Sequence, residues 1–493
     1  MRTALLLLAI LGAALLLRLW NLGGESAWLD EVYSLSVVEA PSLAAYWRAQ
    51  NLADDSPKMT PGYYTLAYYW GRWVSTNLVA LRVLSILAGT LSVLVLFGIG
   101  RRLGGNAAGL VAALCLAFSM PHIFYSQEVR RYAWGLLLAL LSFYALFKAR
   151  PPGEAEPFRR GWLAAQLVVA ALLQATALFT IALLPVQALY LCWRRRGVPN
   201  RWLAGWLVCA AFLALVQAAY IFSLEQSGQV FWIPPAGWRE VANSLVVFAG
   251  GRFSNDNPAA TLPGAFNLDL LLAALLYGAA LTAVFHAAFK VPGTRPAPSA
   301  AAYTLALWLF FPVFLWFAVS KLWQPLFLYR YFLFASFPLY LLAGLFAASL
   351  RPRARRAFVA VLLALFAWQA LPRFITPFRP DYRAAAAKMA AGECAAPVLV
   401  LKETLNGKPL RYLDAIDESR LHFAESGVGL HKHSLALART HGTAWVVMWR
   451  WDRTAAFREF LEENGIEFEA RALGGMPPLL LWRLEGAKEA PIG

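Results

Sequence analysis

The residues best equipped for chemistry are charged side chains that interrupt an otherwise apolar chain. Asp30 and Glu31 stand side by side just after the first apolar segment. Adjacent carboxylates there could offer one general base and one orienting acceptor. The same pair would also serve as solvated loop acids, or as first-turn acids of a helix capped by Ser26. Lys58 precedes Met59-Thr60-Pro61-Gly62-Tyr63-Tyr64, with Tyr68, Tyr69 and Trp70 close behind. A cation at the edge of such an aromatic belt could hold a phosphate or simply snorkel towards water. A third group, Gln127-Glu128-Val129-Arg130-Arg131-Tyr132, lies in the short gap between two apolar runs. Charges so near hydrocarbon are costly unless paired or used. That favours either an anionic substrate or a Glu128–arginine pair bracing the first loop. Lys321 and the pair Arg330-Tyr331 pose the same choice between phosphate contact and snorkelling. Arg252 and Asp256 are weaker candidates for acceptor contacts. His431 and His433 lack an evident third metal ligand and read as an exposed polar turn.

These residues need a scaffold, and the composition indicates which kind. The chain is 60% hydrophobic and 15% charged, with mean hydropathy +0.53, whereas soluble domains carry about 25% charged residues. Apolar stretches of spanning length fall near 3–20, 78–100, 106–121, 132–147, 202–222, 268–289, 301–320, 331–350 and 356–371. The run 162–193, interrupted by Gln174, Thr176, Thr180 and Pro185, reads as two short helices. About eleven spans result. Ala4–Leu17 has no convincing small-residue cleavage site after it and reads as an uncleaved first helix. Four scattered cysteines mark neither a disulfide framework nor a metal quartet.

The net charge of +16 does not point to nucleic acid, because the basic residues cluster between apolar runs. With the N-terminus inside, the inner loops 101–106, 148–161, 194–201, 290–300 and 351–356 hold 16 Lys/Arg in 45 residues. The outer loops 21–77, 122–131, 223–267 and 321–330 hold nine in 122. This asymmetry follows the positive-inside rule. It puts every candidate named so far, apart from the histidines, on the outer face. It also marks 21–77 and 223–267 as long loops of the kind that carry function.

After Pro372 the pattern changes. Helical stretches at Asp381–Ala391, Ser434–Thr440 and Thr454–Asn464 alternate with apolar runs at Val398–Leu401, Trp445–Trp449 and Leu479–Leu484. Residues 372–493 are therefore expected to form a small α/β domain, outside the membrane because the span number is odd.

Outer-face cations and carboxylates between membrane spans suit a substrate with a polyprenyl tail and a phosphate head. Transfer from such a donor needs a base for an acceptor hydroxyl and cations for the departing phosphate. The first helix, the Asp30-Glu31 loop, the Pro61-Gly62-Tyr63-Tyr64 entry and Gln127-Glu128-x-Arg130-x-Tyr132 recur together in a known group. With Leu328-Tyr329-Arg330-Tyr331 before an apolar helix containing Pro338, residues 1–371 resemble the bacterial GT-C glycosyltransferases. The group comprises protein O-mannosyltransferase, aminoarabinose transferase and Rgt-type lipopolysaccharide glycosyltransferases.

The resemblance implies a GT-C type membrane module followed by an extracytoplasmic α/β domain, in the inner membrane of a bacterium. The implied reaction is an inverting transfer from a polyprenyl-phosphate sugar to a lipid, glycan or protein acceptor. Carried over, Asp30 would be the base and Glu31 an acceptor-side or bracing residue. Lys58 falls where aminoarabinose-type members place a lysine near the donor phosphate, although Lys58-Met59-Thr60-Pro61 departs from the His-Pro-Pro of many others. Arg130 and Arg330 would contact phosphate, with Tyr63, Glu128, Arg131, Tyr132 and Tyr331 completing the substrate-binding set. Some members of the wider superfamily use a divalent metal, and nothing beyond the two carboxylates marks a metal site here. A flippase for lipid-linked sugars is the main alternative. It would place polar residues mid-membrane on broken helices in two similar halves. A polysaccharide polymerase or ligase would favour an outer loop rich in arginine and histidine. A receptor would leave the outer cations without a task.

Overall fold

The structure, a computed structural model, describes the chain apart from Trp28 and residues 53–59, 153–156, 227–232, 234, 252–265, 290–298, 376–378, 380, 392–395, 402–417, 425–426, 449–453, 474–478 and 487–493. Lys58, Arg252 and Asp256 therefore lie outside the described residues. The rest groups into two compact units. One holds Met1–Leu22 and the described parts of 36–371, and the other holds Gly23–Leu35 with the described parts of 372–493.

The first unit is a helical membrane bundle. Among the described residues eight helices are long and apolar enough to cross a membrane, from Arg2–Leu19 to Pro352–Leu371. The longest, Leu78–Phe118, is broken at Gly104-Gly105, where Gly105 adopts φ +79. That conformation is cheap only for glycine, so the two spans expected at 78–100 and 106–121 are separate rods. The 162–193 run likewise forms two helices, Arg160–Thr176 and Leu183–Trp193, joined by a short turn at Leu178–Ala182. Pro185 sits in the first turn of the second helix, where its missing N–H is no loss. Against about eleven expected spans stand these eight helices, one of them broken in two, and the two shorter helices of the 162–193 run. The chain is a multi-pass membrane protein.

Position within the bundle follows composition. The Tyr329–Ser349 segment, apolar beyond Arg330 on most sides, is 83% buried, whereas the first helix is 11% buried and faces outward. The 336–349 helix packs against Leu78–Phe118, Phe266–Phe289 and Ser299–Leu322 and so forms the centre. The first long loop is more structured than expected. It contains helices at Leu29–Val38, Leu43–Leu52 and Pro61–Trp73, the last opened by Pro61 at its first position.

The second unit contains a five-stranded sheet. Strands β1 (Val398–Leu401), β2 (Leu421–Ala424), β3 (Thr443–Met448), β4 (Glu467–Leu473) and β5 (Leu479–Glu485) lie in the order β2-β1-β3-β5-β4. The β2-β1-β3 part is parallel, and β5 runs antiparallel to both β3 and β4. Alternation splits the core between two faces. Val398, Val400, Trp445 and Val447 pack with Tyr382, Ala385 and Met389 of the Tyr382–Ala391 helix. Leu399, Val446, Met448 and Trp482 pack with Phe457 and Leu461 of Thr454–Glu463 and with Leu430 and Ala438 of Gly427–His441.

Two strands exceed the three expected. β2 is only four residues long, and β4 (EFEARAL) is an edge strand exposed along most of its length. β2 is too short to show the apolar alternation that reveals a half-buried strand, and β4 alternates only weakly, Phe468 and two alanines standing between Glu467, Glu469 and Arg471. The polar turn expected at His431–His433 is instead part of a helix, and the His431 ring stacks on Phe457 and Phe460.

Candidate functional site

In the membrane unit, the Ser126–Arg131 turn is held from several sides. Pro121 starts the short Met120–Ser126 helix, and Gln127 closes it. The Gln127 amide donates to the carbonyls of Arg18 at 2.7 Å and Trp20 at 2.9 Å, stapling the turn to the end of the first helix. Ser85 Oγ donates to the Glu128 carbonyl at 2.5 Å. Arg18 is fully buried and donates to Ser126 Oγ and to the carbonyls of Ala14, Leu116 and Ala117. Leu116 and Ala117 end a helix, where unsatisfied carbonyls and the helix dipole favour a cation. His122 extends the brace to Ser336 of the central helix at 2.7 Å.

This turn carries the expected residues into a tyrosine-rich interior. Glu128 is 0% exposed, and Arg130 and Arg330 are each 8% exposed. Arg130 Nη1 donates to Tyr64 Oη at 3.0 Å, and Tyr63 lies edge-on to Tyr64. Tyr125 donates to Tyr329 Oη at 3.2 Å and packs on Tyr132 at 4.8 Å. Burial pushes the Tyr125 hydroxyl well above its usual range. Tyr329, Glu128 and Tyr132 push the same way, and the Arg330 guanidinium opposes them. Glu128, Tyr132 and Arg330 thus meet around Tyr125. Arg131 is only partly buried, and its charge reaches Tyr220 instead.

Arg330 leads to an apolar groove. Its guanidinium lies 5.8 Å from the Tyr331 ring, which stacks on Phe179 at 4.4 Å. The Phe179 carbonyl accepts from the Trp316 indole at 3.0 Å. Trp316 lines a cavity of about 530 Å³ whose walls, including Pro185, Ala214, Phe222 and Trp323, are almost entirely apolar. The Pro61-Gly62 entry packs on Ala175 and Thr176, just before Phe179 in the chain. Thr60 Oγ1 donates to the Thr176 carbonyl at 2.7 Å, and a Cβ on Gly62 would lie 2.5 Å from Thr176 Oγ1.

The acidic pair belongs to the other unit. Asp30 and Glu31 occupy the first turn of Leu29–Val38, where carboxylates are favourable. The helix begins after the position expected for a Ser26 cap, and Ser26 is engaged elsewhere, accepting from the Arg383 amide at 3.0 Å. Asp30 is half-buried, and Ser34 Oγ donates to its carbonyl at 3.1 Å. Glu31 is fully buried and ion-paired with Arg379 at 3.6 Å, and Arg379 also pairs with Glu25 at 3.6 Å. The sequence reading singled out neither Arg379 nor Glu25, and it passed over Arg18. Arg18 did carry a signal, since it is a cation at the outer end of the first span, where the charge rule disfavours one.

The acidic pair does not fit a divalent metal as a two-carboxylate site, because Glu31 is committed to a guanidinium. Among the described residues no three His, Cys, Asp or Glu side chains gather for a metal.

No protein-family model matches the chain, and no curated protein matches its sequence. Solved structures do match. The Archaeoglobus fulgidus oligosaccharyltransferase in its apo form aligns over 93% of this chain and 71% of that one, at 11% identity and TM-score 0.52. AglB from the same organism, in complex with an inhibitory peptide and a dolichol-phosphate, aligns over 90% and 69%, at 11% identity and TM-score 0.51. The fold is that of the GT-C glycosyltransferases. ArnT from Cupriavidus metallidurans bound to undecaprenyl phosphate aligns over 97% of both chains at 14% identity and TM-score 0.43. The GT-C fold answers the expectation drawn from the order of the motifs, and at this identity the likeness extends to the fold alone.

Proposed function

We propose that this chain is an inverting glycosyltransferase that moves a sugar from a polyprenyl-phosphate donor to an acceptor hydroxyl on the outer face of the membrane. The observation that carries this reading is the relay of contacts from Arg330 through Tyr331, Phe179 and Trp316 to an almost entirely apolar cavity. A buried cation joined through aromatic side chains to a groove lined by apolar residues matches a ligand with an anionic head and a long apolar tail. AglB, which shares the fold, is seen with a dolichol-phosphate, a lipid of this class. The bias of Lys and Arg towards alternate loops supports an N-terminus inside and the sheet domain outside.

In this mechanism the Asp30 carboxylate takes the proton of the acceptor hydroxyl. The freed oxygen attacks the anomeric carbon from the face opposite the phosphate, so the configuration inverts. The bond from that carbon to the phosphate oxygen breaks, and polyprenyl phosphate leaves with the electron pair. Arg130 and Arg330 stabilise the charge that grows on it. Glu128 holds the arginines' surroundings together, and Tyr63, Tyr132 and Tyr331 shape the sugar and phosphate pocket.

One polar set inside the bundle gives the flippase alternative no support. Ser142, Gln166, Gln187 and Trp206 bond to one another. Such a closed neutral set ties helices together rather than opening a pathway.

The test is sugar transfer from a mixed pool of polyprenyl-phosphate sugars by the purified chain in liposomes, with Asp30→Asn beside the parent. Transfer by the parent, lost in the variant while donor binding persists, is the expected result. Equal transfer by both would remove Asp30 from the mechanism. Donor movement across the bilayer without transfer would replace the reading with the flippase.

A further inference from the structure

A buried guanidinium between two buried carboxylates is the arrangement that the proposed reaction leaves without a task. Arg379 Nη1 stands 3.6 Å from Glu25 Oε2 and 3.6 Å from Glu31 Oε2, and none of the three side chains is more than 2% exposed. Buried carboxylates are tolerated when a cation compensates them, and removing that cation is strongly unfavourable.

The ion pairs do not act alone. Arg383 donates through its backbone amide to Ser26 Oγ at 3.0 Å and through Nη1 to the Gly23 carbonyl at 2.5 Å. Ser26 Oγ donates to Asp381 Oδ1 at 3.4 Å. Asp381 in turn caps the Tyr382–Ala391 helix by accepting from the Ala384 amide at 3.0 Å. Tyr382, Ala385, Ala386 and Met389 of that helix are buried against the sheet. A continuous mechanical line therefore runs from the sheet through the Tyr382–Ala391 helix and Arg379 to Glu31.

Glu31 is the residue next to Asp30 on the same first helical turn. Successive helical residues are separated by a fixed rotation of about 100°. Anchoring the Glu31 side chain therefore sets the direction in which Asp30 points. We infer that Arg379 is a positioning residue for transfer, through which the C-terminal domain aims Asp30 by clamping Glu31. This rests on the reading of Asp30 as the base. It also gives Glu31 the bracing role rather than contact with the acceptor.

The experiment compares transfer kinetics of the full chain in liposomes for the parent, Asp30→Asn, Arg379→Met and Arg379→Lys, with hydrogen exchange measured on the same proteins. A misaimed catalytic group costs on the order of 100-fold. Arg379→Met is expected to lose about that much kcat while donor KM stays near parental. Arg379→Lys, which keeps the charge, is expected to recover most of the loss. Exchange should rise over residues 29–38 in Arg379→Met and stay unchanged over β3 and β5. If Arg379→Met does not accumulate, Glu31→Gln replaces it, since it removes the anion that Arg379 holds and leaves Asp30 in place. It should show the same fall in kcat.

Parental kcat in Arg379→Met or Glu31→Gln would overturn the clamp. So would lost activity with raised exchange throughout the sheet and no rescue by lysine, because that pattern marks a folding role only. Undiminished transfer by Asp30→Asn would instead sink the reading of the base. An inactive Asp30→Asn beside a fully active Arg379→Met would sink this inference alone.

Discussion

Two sets of buried arginines in the membrane unit differ in their partners. Arg150 donates through Nε to the Arg194 carbonyl at 2.9 Å and through Nη2 to the Arg196 carbonyl at 2.8 Å. Its own carbonyl accepts from the Tyr190 hydroxyl at 2.5 Å. Arg130 and Arg330 instead sit among side-chain hydroxyls and rings, including Tyr64, Tyr125, Tyr329 and Tyr331. A backbone carbonyl is fixed and only accepts. A tyrosine hydroxyl both donates and accepts, and it can turn. A guanidinium in carbonyl sockets is therefore a fastening between two loops. One among tyrosines can exchange a contact for a phosphate oxygen without leaving its neighbours stranded.

The sharpest way to break this comparison is to truncate both kinds of arginine. Removing a donor that stabilises developing charge costs about 100- to 1000-fold in kcat, and Arg330→Ala and Arg130→Ala are expected to fall in that range. Arg150→Ala should keep the kcat of the parent per folded molecule. Its cost should appear in thermal stability, at about 1–3 kcal/mol for the carbonyls it leaves unsatisfied. Transfer assays paired with melting curves would check both. A kcat loss in Arg150→Ala as large as that in Arg330→Ala would end the distinction.

A smaller effect is expected where the groove meets the tail of the donor. Ala214→Trp would fill part of the apolar cavity that Ala214 lines. If it displaces two methylenes, at about 0.8 kcal/mol each, donor KM should rise roughly 15-fold. A donor with a tail too short to reach the groove should be nearly indifferent, so a chain-length series separates tail displacement from general damage. Equal rises for short and long donors would show that the tail lies elsewhere.

The sequence made the spans legible because apolar length is a direct consequence of bilayer thickness. It marked Arg130 and Arg330 because they break the charge rule on the side where cations are scarce. Gly105 was legible only as the end of a run, but its positive φ is what separates two rods that length alone could have merged. The sheet was half legible. β1, β3 and β5 are buried and apolar, whereas the exposed charges of β4 hide it. Arg379 left no trace, since its meaning depends on Glu25 and Glu31 at the other end of the chain. A pairing across that separation has no local pattern to announce it. The same holds for Gln127, whose amide closes the turn on carbonyls of Arg18 and Trp20.

The finest test uses two tyrosines, each bonded at one of the two arginine sites. Tyr64 accepts from the Arg130 guanidinium, and Tyr190 donates to the Arg150 carbonyl. Phenylalanine in either place removes one oxygen and keeps the ring. A typical hydrogen bond contributes about 1 kcal/mol, or roughly 5-fold when it is felt in the transition state. Tyr64→Phe should therefore lower transfer about 5-fold, because Arg130 loses the hydroxyl that aims it. Tyr190→Phe removes a bond of the same kind from a fastening, so it should lower the melting temperature and leave kcat alone. Equal kinetic effects in the two variants would mean that partner chemistry does not separate working arginines from structural ones. A split confined to Tyr64 would tie the difference to the hydroxyl itself, since ring, burial and residue type are otherwise matched.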